Sequence, residues 1–210
     1  MTRRILVKVC GMRERENTAA IARLAPDFLG FIFVPESPRY VEPSDRAELL
    51  TSVPVPTRTV GVFRDAALEE VVDAVKHYQL TAVQLHGSED SAYISECKRR
   101  VPSCYVFKAI TLGESSNVLR TAPLGADLFI FDGACPGSGE GFDWNMLSDY
   151  RGETPFFLAG GIGPHSIDAV RQCMQVSSQC LGIDINSKVE VRAGLKDESA
   201  VRRVLEGVRV

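Results

Sequence analysis

Residues 58–86 read RTVGVFRDAALEEVVDAVKHYQLTAVQLH, two short apolar runs flanking a segment of helical period. The runs "RTVGVF" (58–63) and "TAVQLH" (81–86) are near-continuous rather than alternating, as expected of strands covered on the outside by helices. Between them Leu68, Val71, Val72 and Val75 fall at i, i+3, i+4 and i+7, which puts them on one helix face. Asp65 stands just ahead, placed to cap that helix. The passage reads as strand, helix, strand, the repeating unit of a parallel sheet.

The same alternation extends outward in both directions. "ILVKVC" (5–10), "FLGFIF" (28–33), "CYVFKAI" (104–110), "DLFIFD" (127–132), "PFFLAG" (155–160) and "CLGIDI" (180–185) bring the strand-like runs to eight. Val201, Val204, Leu205 and Val208 repeat the helical spacing behind Asp197, and Pro164 is set for a first helical turn ahead of Ile167, Val170 and Met174. Tyr93, Ile94, Cys97 and Val101 outline another helix, and "ENTAAIARLA" (16–25) the first.

Eight runs alternating with helices, without a linker or low-complexity stretch, point to a (β/α)8 barrel over residues 1–210 as one domain. An open doubly wound sheet is the alternative, but eight parallel strands in 210 residues leave little room for its insertions. With 45% hydrophobic residues the chain can bury one large core.

The net charge is only −3 with the two signs interspersed, which excludes a nucleic-acid stripe or polybasic membrane patch, so any bound anion must be met locally. The first apolar run is broken by Lys8 and lacks a small-residue cleavage site, so a signal peptide is not expected, nor is any run of membrane-spanning length present. Cysteines at 10, 97, 104, 135, 173 and 180 form no CxxC pair and no metal spacing with the three histidines. A reducing, cytoplasmic setting fits best.

In such barrels chemistry sits at the C-terminal strand ends and in the loops that follow. The runs place Cys10, Phe33, Phe63, His86, Ile110, Asp132, Gly160 and Asp184 there. Cys10 is followed by Gly11, which leaves the thiol uncrowded, although a cysteine at such a place is as readily a small buried hydrophobe. Asp132, after "LFIF", must be hydrated, paired or functional, or it caps the loop "GACPGSGEGF" (133–142), which lacks the lysine of a phosphate-binding P-loop. "FLAGGIGPHS" (157–166) and "GIDINSKVE" (182–190) follow strands seven and eight, where barrel phosphate sites commonly lie. Pro35 and Pro38 stiffen the loop "FVPESPRYV" (33–41), and Arg39 on it can fork onto a carboxylate. His86 in "QLHG" is open to a structural, substrate-bonding or proton-carrying role.

Taken in order, "VKVCGM", "GFIFVPESPRYV", "VGVF", "VQLHG", "FKAI", "GSGEGFDW", "FLAGGI", "GIDINSKVEV" and "GLKD" resemble the phosphoribosylanthranilate isomerase family of tryptophan biosynthesis, over residues 7–197. The resemblance implies a (β/α)8 barrel without metal or organic cofactor that performs an Amadori rearrangement of a small phosphoribosyl substrate. It implies Cys10 as general base and Asp132 as general acid. It further implies Arg39 at the anthranilate carboxylate, and Gly160, Gly161, Asn186 and Ser187 around the phosphate. His86 and Asp184 match pocket positions. In "DINSKVE", Asn186 and Lys188 replace the family's usual second serine and glycine, and "ACPGSGEG" replaces a commoner threonine-containing loop. A monomer or homodimer is expected, with neither nucleic-acid nor membrane partners.

An unassisted thiol is only a few per cent thiolate at neutral pH. Lys8, two residues before Cys10, points to the same side of a regular strand, and its ammonium would favour the thiolate. Two rival readings remain. A histidine-pathway isomerase with the same chemistry would carry aspartate where Cys10 stands, and a non-catalytic phosphate-binding barrel would not need both Cys10 and Asp132.

Overall fold

The computed structural model describes residues 4–112, 125–133, 144, 147 and 150–209. Beyond Gly133 the loop "GACPGSGEGF", with Cys135, lies outside the described residues, as does "GSGEGFDW" up to Trp144.

Strands β1 (Leu6–Cys10), β2 (Phe28–Ile32), β3 (Arg58–Phe63), β4 (Ala82–Leu85), β5 (Tyr105–Thr111), β6 (Leu128–Asp132), β7 (Phe156–Leu158) and β8 (Cys180–Ile185) form a closed barrel in chain order. Every neighbouring pair is parallel. Closure comes from β1 on β8, in a register that sets Lys8 opposite Asp184. An open sheet is thereby excluded.

The helices described between strands are α1 (Arg15–Arg23), α2 (Pro43–Thr51), α3 (Leu68–Tyr78), α4 (Ser91–Arg100) and α5 (Ile167–Val176), with α6 (Glu198–Val208) closing the chain. Their apolar stripes face the barrel as their spacing predicts. Val71, Val72 and Val75 of α3, and Val201, Val204, Leu205 and Val208 of α6, are buried in the layer between sheet and helices. Cys97, Cys104, Cys173 and Cys180 pack in that layer too. Each such side chain contributes about 1.5–3 kcal/mol by leaving water. None of the described helices is long and apolar enough to cross a membrane.

Helix starts follow the sequence less closely. Asp65 does not cap α3, whose first flanking residue is Ala67. Instead Asp65 adopts a left-handed backbone (φ 51) and accepts bonds from the Ser88 amide and hydroxyl, tying the β3 exit to the β4 exit. Pro164 opens a separate 3-10 turn, Pro164–Ser166, immediately before α5. Asp197 does cap α6, accepting from the amides of Ser199 and Ala200.

Inside the barrel a second apolar cluster, including Phe28, Val60, Phe107, Leu128, Ile130 and Phe157, plugs the N-terminal half. Phe28 meets Phe107 and Phe157 edge to face, with centroids 5.6 and 5.9 Å apart. A ligand can therefore enter only above this plug, at the C-terminal ends of the strands. Strand parity turns three of the strand-end residues away from the mouth: Phe33, Phe63 and Ile110 pack in the outer layer. Ile32 and Val62 face the mouth in place of the two phenylalanines. After β8, a 3-10 turn (Ser187–Val189) leads into an antiparallel ribbon, β9 (Glu190–Arg192) and β10 (Leu195–Lys196), that the apolar pattern does not announce.

Because the Asp197 carboxylate satisfies two amides at the start of α6, Asp197→Ala should lower unfolding stability by about 1 kcal/mol, with Asp197→Asn losing much less. Urea denaturation checks this, and equal midpoints for Ala and wild type would contradict it.

Candidate active site

The barrel mouth encloses a pocket of about 340 Å³. All the sequence-derived site residues line it: Cys10, Arg39, His86, Asp132, Gly160, Gly161, Asp184, Asn186 and Ser187. They come from β1, β6, β8 and the loops after β2, β4, β7 and β8, so the mouth unites groups far apart in sequence.

The β1 side is built on charge. Lys8 is fully buried and donates to Asp184 Oδ2 at 2.7 Å. Gly30 on β2 makes room for it: a Cβ there would lie 2.8 Å from Cys10 Sγ and 3.2 Å from Lys8 Cε. Burial opposes the Lys8 charge, but Asp184 and the neighbouring Cys10 outweigh it, so its pKa is raised and it stays an ammonium. For Cys10 the balance falls the other way. Burial pushes its thiol up, and the opposing pull of Lys8, which lies within hydrogen-bonding reach, does not cancel it; Asp184 adds to the rise and Lys196 opposes it. Lys8 thus acts on the thiol with the sign that strand parity implies, but not strongly enough to make the thiolate the resting form.

Across the mouth, burial lifts the Asp132 carboxyl to about 6, against a bond of 2.9 Å from the Gly133 amide that favours the carboxylate. His86 Nε2 stands 3.9 Å from Asp132 Oδ2. Burial, with Lys8 and Lys108 adding their repulsion, lowers the His86 pKa to about 4, so the ring is neutral at pH 7. The Gln84 amide nitrogen lies 3.2 Å from His86 Nδ1. In this orientation it donates, so the ring proton sits on Nε2, toward Asp132. Among the described residues, Gln84 Oε1, His86 Nε2 and Asp184 Oδ1 are buried without a hydrogen-bond partner. Two acceptors and one donor left open in a pocket suit a ligand with several hydroxyl groups.

At the far side Gly160 and Gly161 both take positive φ (77° and 70°), a turn that brings backbone toward the pocket. The 3-10 turn at Pro164 and the one at Ser187 abut, since a Cβ on Gly163 would lie 2.9 Å from Lys188 Cβ. Lys188 lines the pocket with Asn186 and Ser187, which adds a cation to this side of the mouth. Among the described residues no cluster of three His, Cys, Asp or Glu side chains is placed to hold a metal ion.

Two buried networks escape sequence reading. Glu190 accepts from Arg39 and from Lys196, whose ammonium also reaches Asn186 Oδ1 at 2.7 Å. Lys108 on β5 bonds Glu89 at 3.1 Å and the carbonyls of Leu85 and Gly87, bracing the loop that carries His86. Glu190 and Lys196 lie within the quoted segments "GIDINSKVEV" and "GLKD", and Gln84 shares inward parity with His86. Those were the available signals.

The N-(5′-phosphoribosyl)anthranilate isomerase family model matches residues 7–207. A relative of that name from Parabacteroides distasonis is 36% identical, covering 97% of this chain and 93% of the relative. The solved phosphoribosyl anthranilate isomerase of Thermus thermophilus superposes with a TM-score of 0.84 at 27% identity, covering 97% of this chain and 98% of that one. Another solved isomerase, in complex with reduced 1-(o-carboxyphenylamino)-1-deoxyribulose 5-phosphate, gives 0.79 at 26% identity with the same coverage. With its closed barrel and a mouth of this composition, the chain belongs to the phosphoribosylanthranilate isomerase family.

Proposed function

We propose that this barrel isomerises N-(5′-phosphoribosyl)anthranilate to the carboxyphenylamino deoxyribulose phosphate with Cys10 as general base and Asp132 as general acid. It does so as a single-domain cytoplasmic enzyme, monomeric or homodimeric, without metal or organic cofactor. The observation that carries the assignment of roles is the pairing, at one mouth, of a thiol beside a buried ammonium with a carboxyl raised to about 6. A raised carboxyl is what an acid working near neutral pH requires.

Protonated Asp132 gives its proton to the ribose ring oxygen as the C1′–O bond breaks, leaving an iminium at C1′. The Cys10 thiolate then takes the C2′ proton, and that bond's electrons neutralise the iminium to an enolamine. Loss of the enol proton and protonation at C1′ complete the ketone. The resting thiol is disfavoured as a base, but the iminium beside C2′ is a new positive charge, and it favours the thiolate at the step that needs it. Lys8 contributes a fixed share throughout.

Gly160, Gly161, Asn186 and Ser187 surround the phosphate, with Lys188 adding charge. Arg39 meets the anthranilate carboxylate. The open atoms of Asp184, Gln84 and His86 take the ribosyl hydroxyls.

Cys10→Ala and Asp132→Asn should each lower kcat by at least about a hundredfold. Loss of anthranilate-derivative fluorescence reads this directly, and wild-type kcat in both variants would refute the assignment.

The pH profile gives a second test. Below pH 6 Asp132 is protonated and the thiolate fraction climbs with pH, so kcat/KM rises. Above about 6 the acid is lost as fast as the base is gained, and the profile flattens until the thiol titrates. Asp132→Asn should remove its share of this bend. The substrate phosphate titrates nearby in both enzymes, so the difference between profiles reports Asp132, and identical bends would contradict its role.

A further inference from the structure

Arg39 meets Glu190 through three contacts: Nε to Oε1 at 3.0 Å, Nε to Oε2 at 3.2 Å and Nη2 to Oε2 at 2.8 Å. This occupies the side-on edge of the guanidinium. Among the described residues its end-on edge, Nη1 with the second Nη2 hydrogen, has no hydrogen-bond partner, and Arg39 lines the pocket. Glu190 is itself held from behind, by Lys196 Nζ at 2.7 Å and the Gly194 amide at 3.0 Å. Lys196 is fixed in turn, because Asn17 of α1 accepts from its backbone amide at 2.8 Å and donates to its carbonyl at 2.9 Å. The three charged side chains are 10%, 5% and 0% exposed for Arg39, Glu190 and Lys196.

Two cations share one anion here, leaving one positive charge without a protein partner in this cluster. A pure structural ion pair would need no second cation. An extra, desolvated positive charge with a free planar edge, on a residue lining a cavity, is what a bound carboxylate completes. The stem of Arg39 is confined as well, since a Cβ on Gly11 would come within 2.7 Å of its Cδ.

We propose that Glu190, held by Lys196, is a positioning residue that aims the free edge of Arg39 and so sets selectivity for an aryl amine bearing an ortho carboxylate. The proposal rests on the reading of Arg39 as the carboxylate contact, and the two can fail separately. Glu190 touches no substrate atom in this account. Its effect is felt only by substrates that use Arg39.

The test compares substrates formed in solution by condensing ribose 5-phosphate with anthranilate or with aniline, water leaving, the products being separated by chromatography. The quantity read is the ratio of the two kcat/KM values, which is independent of the fraction of enzyme that folds. Wild type should favour the carboxylated substrate by about 10–100-fold, the value of a charge-assisted fork. Glu190→Gln should narrow that ratio by about fivefold or more, through KM of the carboxylated substrate, with turnover of the aniline substrate nearly unchanged, whereas Lys196→Met, which also removes a charge acting on Cys10 and a bond to Asn186, should narrow the ratio while slowing both substrates. If both substrates slow equally and the ratio persists, Glu190 is only structural and the proposal falls. If Arg39→Met leaves the ratio intact, the carboxylate reading itself falls. A ratio collapsed by Arg39→Met but untouched by Glu190→Gln removes the positioning role alone.

Discussion

The mouth of this barrel is organised around an ion pair placed where a barrel interior would ordinarily be apolar. Lys8 and Asp184 lie opposite each other across the β1–β8 closure, and their side chains meet at 2.7 Å. Removing one partner of such a pair leaves an uncompensated buried charge, typically at a cost of about 3–5 kcal/mol. The pair therefore holds the closing seam in register while placing an ammonium beside Cys10. It also fixes where the apolar plug ends, since Phe28 and Phe157 fill the interior below it and open polar atoms line the pocket above.

The electrostatics of the remaining site follow from the same pair. The Lys8 charge reaches Cys10, His86 and Asp132, adding to the burial that keeps the histidine neutral and moderating the rise of the other two. Desolvation dominates both Cys10 and Asp132, so the resting pocket holds a protonated thiol and a carboxyl raised to about 6. Such a site is poised to change ionisation when a cationic intermediate forms, rather than carrying a permanently charged nucleophile. Apart from Lys8, positive charge gathers at two sides of the mouth, Arg39 and Lys196 around Glu190 on one and Lys188 on the other.

The fold was legible because its signals are local. The passage 58–86 carries strand, helix and strand in one reading, and its period of near-continuous apolar residues already implies a covered parallel sheet. Cys10, His86, Asp132, Gly160 and Asp184 were legible from their places at strand ends, Arg39, Gly161, Asn186 and Ser187 through the loops and the family resemblance, and all of these line one mouth. What escaped was of two kinds. An apolar run does not show which face its last residue takes, and Phe33, Phe63 and Ile110, at strand ends as read, face the outer layer. The partners of the site groups escaped because they are distant in sequence: Asp184 from Lys8, Glu190 from Arg39, and Lys196 from Asn17. Such pairs exist only once the barrel has closed. Asp65 shows the same limit locally, since its carboxylate serves Ser88 on the next loop rather than the helix it precedes.

The central claim is that Lys8 lowers the cost of forming the Cys10 thiolate within a site whose desolvation raises it. The alkylation rate of Cys10 against pH, resolved by peptide mass spectrometry, measures that balance directly. The account predicts a wild-type thiol pKa above the ordinary cysteine value and a higher one still in Lys8→Met, with Lys8→Met/Asp184→Asn shifting the same way without leaving a lone buried carboxylate. A wild-type value below that of an ordinary cysteine, or a profile unmoved by either variant, would contradict it.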